Sequence, residues 1–168
     1  MNPRVVLVGP PGSGKTTIGE LLADRLGVAF RDTDHDVEAT AGRTVSDIFV
    51  EDGEAHFRAL EAEAVRLALA EHDGVVALGG GAVLDERTQR LLADQQVVYL
   101  EVGLAAAAER VGFAQSRPLL VVNPRAELKR MLDVRRPVYT AVAGNVVTTD
   151  GRTPDDIADE ILALLEPA

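Results

Sequence analysis

The stretch Gly9-Pro10-Pro11-Gly12-Ser13-Gly14-Lys15-Thr16-Thr17 decides the fold, because it fits the phosphate-binding loop Gly-x4-Gly-Lys-[Ser/Thr]. Its glycines let backbone N–H groups turn towards phosphate oxygens without a Cβ in the way. The stretch from Arg4 to Val8, apolar after its first residue, is typical of a short buried strand, and residues 18–26 have helical periodicity. A helix that starts at the loop directs its positive end at the same anion. We therefore predict that Lys15 neutralises nucleotide phosphates and that the Thr16 hydroxyl binds Mg²⁺.

Short apolar strands alternate with helices along the rest of the chain. Further strands are predicted at 28–30, 75–78, 97–101 and 146–148, and the longer helices at 54–71 and 125–143. This alternation indicates a parallel sheet covered by helices on both faces. Pro137 is expected to kink the helix at 125–143 or to end its first half. The 168 residues contain no linker, so we predict one domain over 1–168.

Composition narrows the class of protein. The 17 basic and 27 acidic residues give a net charge of −10, which argues against a general nucleic-acid binder. The absence of cysteine excludes disulfides, thiolate-bound metal and cysteine nucleophiles. No apolar run approaches the roughly 20 residues that a membrane-spanning helix needs, and the short apolar run near the N-terminus leads us to expect no signal peptide. We expect a cytoplasmic protein that does not bind membranes, and a monomer, because no apolar surface stripe is obvious.

Two carboxylates, Asp32 and Asp34, follow the second predicted strand. In an open parallel sheet, ligands bind at this edge. Beside a phosphate loop, one carboxylate can hold Mg²⁺ through water while the other accepts a hydroxyl proton. The alternative is that Asp34 only caps a helix that is predicted to start near Asp36. The sequence leaves both interpretations open.

Three successive glycines, 79–81, follow the third strand and form either a tight turn or a backbone surface against a substrate. On the long helix, Arg58 follows Phe57 and has Glu61 one turn later. The simplest interpretation of this pair is a surface salt bridge of little energetic value. An anionic substrate would instead need arginine side chains of this kind.

Further arginines lie where loops are predicted. Arg117 falls in the aperiodic segment 112–124, which is typical of a lid. Arg110 and Arg152 are near the ends of elements, where a solvated surface charge is the usual explanation. Taken together, these residues supply the positive charge that ATP and an anionic substrate demand.

The chain resembles the shikimate kinases, which are P-loop kinases related to the nucleoside monophosphate kinases. The resemblance covers essentially the whole chain and, besides the phosphate loop, rests on Asp-Thr-Asp (32–34), Asp47-Ile48-Phe49, Gly53-Glu54 with Phe57-Arg58, Gly-Gly-Gly-Ala-Val (79–83), Arg-Pro-Leu-Leu (117–120) and Arg135-x-Pro-x-Tyr139. It implies an α/β fold of three layers, with a five-stranded parallel sheet in the order 2-3-1-4-5, a substrate-binding segment at 33–61 and a lid at 112–124. It also implies ATP-dependent phosphorylation of the 3-hydroxyl of shikimate, a step towards chorismate and the aromatic amino acids.

The resemblance further implies roles for individual residues. Those expected to act in catalysis are Asp34, as the candidate base, Lys15 and Arg117. Those expected to bind ATP are Gly12, Ser13, Gly14, Lys15, Thr16, Thr17, Arg110, Arg117, Arg152 and Pro154. Those expected to bind shikimate are Asp34, Phe49, Phe57, Arg58, Gly79, Gly80, Gly81 and Arg135, with Arg136 as the alternative to Arg135 if the helix is phased differently. Thr16 and Asp32 are expected to hold Mg²⁺.

Three other functions compete with this one. A sister kinase with a different small acceptor, such as gluconate or a nucleotide, is the nearest, and the Phe57-Arg58 pair and the triple glycine argue against it. A GTP-dependent switch would read guanine with Asn-Lys-x-Asp, a motif that this chain lacks. A non-catalytic nucleotide-binding module is disfavoured because Lys15, Asp32 and Asp34 are all present.

Overall fold

The computed structural model describes residues 2–111 and 124–165 of the chain. Within these ranges five parallel strands form one sheet in the order β2-β3-β1-β4-β5, which confirms the predicted order. The strands are β1 (Val5–Val8), β2 (Phe30–Asp32), β3 (Val75–Ala77), β4 (Val97–Glu101) and β5 (Asn145–Thr148). The predicted lid at 112–124 lies outside the described residues, apart from Pro124.

Helices connect the strands and cover the sheet. They are α1 (Lys15–Leu26), α2 (Thr33–Ala41), α3 (Val45–Asp52), α4 (Glu54–Glu71), α5 (Glu86–Leu92), α6 (Leu104–Val111), α7 (Pro124–Val142) and α8 (Pro154–Leu165), with a 3₁₀ turn at Ala82–Leu84. No helix in the described parts of the chain is both long enough and apolar enough to cross a membrane.

The two faces of the sheet are both buried, as the apolar strands predicted. Side chains alternate along β1, so Val5 and Leu7 face one side and Val6 and Val8 the other. Val5 and Leu7 pack in a cluster that includes residues of α1 and α8. Val6 and Val8 pack in a second cluster that includes residues of α4 and α7. This arrangement gives three layers and leaves the carboxyl edge of the sheet for the loops that carry the predicted site.

The start of α2 differs from the prediction and changes the interpretation of Asp34. The helix begins at Thr33, and the side chain of Asp32 caps it by accepting the backbone N–H of Asp34 at 2.9 Å. The interpretation of Asp34 as the helix cap is therefore wrong, because the chain passes directly from β2 into α2. Asp34 lies in the first turn of the helix.

Pro137 does not end the first half of α7, which runs unbroken from Pro124 to Val142. Proline lacks the N–H that would reach the carbonyl of Asp133, so the helix forgoes one hydrogen bond there. Both halves are held by packing: Leu132 contacts a cluster with residues of α6, and Tyr139 is buried against the sheet. Tertiary contacts on each side of the proline thus keep the helix continuous.

Candidate active site

The phosphate loop connects β1 to α1 at the carboxyl edge of the sheet. Gly12 and Gly14 have φ angles of 82° and 93°, in the left-handed region that favours glycine. A Cβ at Gly9 would lie 2.7 Å from the Leu100 carbonyl oxygen, so this glycine permits a close approach to β4. The Lys15 ammonium donates hydrogen bonds to the carbonyls of Gly9 at 2.7 Å and Pro10 at 3.1 Å. The lysine side chain therefore lies over its own loop.

A cleft of about 270 Å³ opens above this loop. It is lined by residues of the phosphate loop, of the β2–α2 junction and of the segment after β3, namely Pro11, Gly12, Gly14, Lys15, Thr16, Thr17, Asp32, Asp34, Leu78 and Gly80. Three regions that are far apart in the sequence thus meet in one site, because β1, β2 and β3 are neighbours in the sheet.

The residues predicted to hold Mg²⁺ lie together in this cleft. The Thr16 hydroxyl donates a hydrogen bond to an oxygen of the Asp32 carboxylate at 3.3 Å. The described residues hold no cluster of three or more acidic, histidine or cysteine side chains suited to a metal ion. Mg²⁺ usually takes only one or two protein oxygens and completes its shell with water and phosphate. A hydroxyl and a carboxylate oxygen beside a phosphate loop fit that ligand set.

Gly79, the first glycine of the triple, is enclosed by two carboxylates. A Cβ at this position would lie 2.5 Å from an oxygen of Asp34 and 2.8 Å from an oxygen of Glu61. Its backbone N–H donates to the buried Thr33 hydroxyl at 3.1 Å, which ties the glycine loop to the start of α2. Gly79 is therefore a glycine because two acidic side chains approach the backbone, and these side chains lie close to each other.

The other two glycines are approached by arginines. A Cβ at Gly80 would lie 3.3 Å from a terminal nitrogen of Arg135 and 3.0 Å from the ring of Pro11. A Cβ at Gly81 would lie 2.5 Å from both terminal nitrogens of Arg58. The triple glycine is thus more than a tight turn: its missing side chains make room for acidic and basic groups from α2, α4 and α7.

Glu61 belongs to this site, although the sequence suggested only a surface salt bridge. The Arg58 guanidinium donates to it at 2.7 Å, and its side chain is only 4% exposed. Burial raises the pKa of the Glu61 carboxyl above its ordinary value; Arg58 opposes this shift and the nearby Asp34 carboxylate adds to it. The interpretation of Arg58 and Glu61 as a surface salt bridge was wrong, because it did not consider which face of α4 carries Glu61. Position 61 lies one turn after the buried Phe57 and before Ala64, on the apolar stripe of α4.

Aromatic rings border the Arg58 guanidinium. The rings of Phe49 on α3 and Phe57 on α4 have centroids 4.7 Å apart. The guanidinium carbon of Arg58 lies 5.2 Å from the centroid of the Phe57 ring. Phe57 is therefore adjacent to the predicted arginine, and Phe49 packs on Phe57, so the two predicted aromatic residues form one apolar pair next to the Arg58 guanidinium.

The consecutive arginines of α7 point in different directions. Arg135 lies beside Gly80, whereas Arg136 lies near the Tyr99 hydroxyl and has Asp133 at 3.6 Å. Successive helical residues are about 100° apart, which explains the divergence. In this geometry Arg135, and not Arg136, is next to the glycine loop.

The predicted nucleotide-binding arginines have different surroundings. Arg110 on α6 donates to the Gly12 carbonyl at 3.0 Å, which brings it to the phosphate loop. Arg152 donates to the Thr148 carbonyl at 2.9 Å and pairs with Glu160 at 2.7 Å, within the segment that leads from β5 into α8. Pro154 is the first residue of α8. Arg117 lies outside the described residues.

The strand order and the phosphate loop with its lysine define the fold and nucleotide site of a P-loop kinase. The sequence profile of the family described as shikimate kinase matches residues 11–166. A shikimate kinase of Salinispora arenicola (strain CNS-205) is 63% identical over 98% of this chain and 99% of its own. One from Streptomyces coelicolor is 54% identical over 98% of this chain and 96% of its own. The chain belongs to the shikimate kinase family.

Solved structures agree with this assignment. The structure of shikimate kinase from Acinetobacter baumannii in complex with shikimate matches with a TM-score of 0.93 and 36% identity, over 98% of this chain and 93% of that one. A gluconokinase from Sinorhizobium meliloti 1021 matches with a TM-score of 0.57 and 22% identity, over 96% of this chain and 90% of that one. At that identity the likeness to the gluconokinase extends to the fold alone.

Proposed function

We propose that the protein transfers the γ-phosphoryl group of ATP to the 3-hydroxyl of shikimate and releases shikimate 3-phosphate and ADP. The observation that carries this proposal is the surface of the triple glycine. Arg58 and Arg135 approach it on one side, and the Asp34 carboxylate approaches it at Gly79. Arginines suit a carboxylate, and a carboxylate suits hydroxyl groups, so the surface matches a small hydroxylated acid.

The acceptor lies on the backbone of Gly79–Gly81 in this proposal. Its carboxylate binds the guanidinium groups of Arg58 and Arg135, which can each donate two parallel hydrogen bonds. Phe49 and Phe57 close the apolar side of the site. The buried Glu61 supports this role, because its 2.7 Å hydrogen bond to Arg58 fixes that guanidinium before the acceptor arrives.

ATP binds in the cleft above the phosphate loop. Backbone N–H groups of residues 12–17 hold the phosphates, and the Lys15 ammonium exchanges the carbonyls of Gly9 and Pro10 for phosphate oxygens. Arg110, Arg152 and Pro154 flank the adenine, and Arg117 contacts the phosphates. Support for the position of Arg110 comes from its hydrogen bond to Gly12.

Thr16 and Asp32 hold Mg²⁺ in this proposal, the first through its hydroxyl and the second through its carboxylate. Bound Mg²⁺ neutralises charge on the β- and γ-phosphates. Asp32 then has two functions, since its other carboxylate oxygen caps α2 through the Asp34 N–H. Through that cap Asp32 also fixes the position of Asp34.

In the reaction, the oxygen of the 3-hydroxyl forms a bond to the γ-phosphorus. The bond from that phosphorus to the β,γ-bridging oxygen breaks, and its electron pair leaves with ADP. Asp34 orients the hydroxyl and accepts its proton. Lys15 and Arg117 stabilise the charge that is spread over the γ-phosphoryl oxygens.

A coupled ADP-release assay tests the proposal, with shikimate, gluconate and nucleoside monophosphates as separate acceptors. We expect turnover with shikimate and a phosphorus NMR signal for a phosphate ester at the 3-position. Lys15→Ala is the negative control for contaminating kinases, because it removes the only cation of the phosphate loop and reduces turnover by about 10²–10³-fold or more. Preferential phosphorylation of gluconate or of a nucleotide would contradict the proposal.

The chain acts in this proposal as a monomeric, one-domain enzyme in the cytoplasm, where ATP is available. Support for the monomer comes from the exposed large apolar side chains, because those in the described residues are spread over six different elements: Val50, Leu84, Leu91, Val134, Val146 and Leu164. Size-exclusion chromatography with light scattering tests the assembly state.

A further inference from the structure

Tyr139 is a buried residue that the reaction itself does not use. Its side chain is inaccessible to solvent, and its hydroxyl donates a hydrogen bond to the Gly80 carbonyl at 2.5 Å. Its ring packs against the ring of Tyr99, with centroids 5.0 Å apart. Tyr139 thus connects α7 directly to the middle residue of the glycine loop.

The same glycine receives a second residue of α7. Arg135 precedes Tyr139 by four residues, so the two side chains lie on one face of the helix, one turn apart. A terminal nitrogen of Arg135 lies 3.3 Å from the position of a Cβ on Gly80. The hydrogen bond from Tyr139 and the approach of Arg135 therefore depend on the same rotation of α7 about its axis.

Pro137 lies between Arg135 and Tyr139 and weakens the helix backbone there. The hydrogen bond from Tyr139 to Gly80 therefore matters more for the position of α7. Because proline has no N–H, α7 lacks the hydrogen bond that would join residue 137 to the Asp133 carbonyl. The backbone alone therefore holds the turn that carries Arg135 less firmly than an ordinary helical turn. The hydrogen bond from Tyr139 to the Gly80 carbonyl can fix this turn instead.

We propose that Tyr139 is a positioning residue for the acceptor: its hydroxyl fixes the Gly80 carbonyl and the rotation of α7, and thereby places Arg135 against the glycine loop. This inference rests on the proposed function, in which Gly80 and Arg135 bind the acceptor. The tyrosine touches neither the acceptor nor the reacting atoms. It acts on acceptor affinity, and not on the phosphate site.

The test compares Tyr139→Phe with Tyr99→Phe. Both substitutions remove one hydroxyl from the same buried aromatic pair, but the Tyr99 hydroxyl contacts Arg136 and not the glycine loop. We expect Tyr139→Phe to raise KM for shikimate about tenfold, the effect of one lost hydrogen bond, with KM for ATP unchanged. Tyr99→Phe should leave KM for shikimate within about twofold of wild type. Equal values of KM in Tyr139→Phe and wild type, or equal increases in both variants, would overturn the proposal.

A double-mutant cycle with Arg135→Ala separates positioning from general loosening of the fold. If Tyr139 acts by placing Arg135, then Tyr139→Phe adds little to KM once Arg135 is absent. Additive effects of the two substitutions would overturn the proposal. Calorimetric titration with shikimate, at a temperature where circular dichroism shows every variant folded, gives the same comparison without turnover. A wild-type chain that does not phosphorylate shikimate would overturn the proposed function itself, an outcome that the first assay identifies independently of Tyr139.

Discussion

Asp34 lies in the first turn of α2 with its carboxylate beside Gly79, while Asp32 caps that helix. Because the cap belongs to Asp32, Asp34→Asn should leave the thermal unfolding temperature almost unchanged. Turnover should fall by about 10²–10⁴-fold if the Asp34 carboxylate accepts the proton. Affinity for shikimate should weaken much less, since asparagine still hydrogen-bonds to hydroxyl groups. The ADP-release assay gives turnover, and near-normal turnover would assign the proton to Asp32 or to no residue.

Glu61 should make the free energy of unfolding depend on pH. Burial raises the pKa of Glu61 above 4.5, so the folded chain holds this proton more tightly than the unfolded chain. The contribution of Glu61 to stability is then full below the ordinary pKa and is lost as pH rises through the raised pKa. The difference in free energy of unfolding between wild type and Glu61→Gln should therefore fall with increasing pH. Urea unfolding of both proteins from about pH 4 to pH 8 measures this difference in free energy.

Glu63→Gln is the matched control for that experiment. Glu63 lies on the same helix and also pairs with an arginine three residues away, Arg66, but both side chains are exposed. The hydrogen bond from Arg66 lowers the pKa of Glu63, so the sign is opposite: its contribution is present above the ordinary pKa and is lost as pH falls. A pH dependence of the same sign in both variants would contradict a special environment for Glu61.

At the residue scale, the sequence was sufficient to predict the surroundings of a functional residue where its neighbours belong to the same short motif. Lys15, Thr16 and the glycines around them form one continuous motif, so their neighbourhood could be predicted. The neighbours of Glu61 could not be predicted, because its approach to Gly79 and Asp34 joins α4 to segments that are distant in the sequence. A charged residue on the apolar stripe of α4 was nevertheless a usable signal.

Among the elements, the loop of three glycines leaves little room for a side chain at any of its positions. In Gly81→Ala the new methyl group would lie 2.5 Å from the Arg58 guanidinium, which must move away. Misplacement by about 1 Å can reduce efficiency by about 10²-fold, so we expect a rise in KM for shikimate of up to that size. Gly144→Ala is the control, because its Cβ would have its nearest neighbour at 3.8 Å, an ordinary contact. Equal KM values in the two variants would show that Arg58 does not bind the acceptor.

Element boundaries were predicted well where periodicity is long and poorly where a strand leads directly into a helix. The bounds of α4 and β4 agree with the prediction to the residue. The start of α2 was placed three residues late, because the cap at Asp32 is also the last residue of β2. The eight residues of α3 are too few for a clear apolar period, and no element was predicted for them.

For the whole molecule, the strand order brings the proposed ATP and acceptor sites to one edge of the sheet, and these two sites can be tested separately. ADP should raise the unfolding temperature of wild type and of Arg135→Ala, but not of Lys15→Ala. Shikimate should raise it in wild type and Lys15→Ala, but not in Arg135→Ala. At about 100 times the dissociation constant, each ligand adds about 2.7 kcal/mol. Arg136→Ala should respond to both ligands, and loss of its shikimate response would transfer the carboxylate-binding role to Arg136.

The central position of β1 has a consequence for biosynthesis of the chain. This strand precedes the other four described strands in the chain, yet it pairs on one side with β3, from Val5 and Val75 onward, and on the other with β4, from Val6 and Val97 onward. Pairing over such separations requires large loops to close, which makes folding slow. The phosphate loop follows β1 directly, but it acquires its supporting neighbours only after β3 and β4 have been translated. We therefore expect a ribosome-bound nascent chain to bind nucleotide only after β4 has been synthesised.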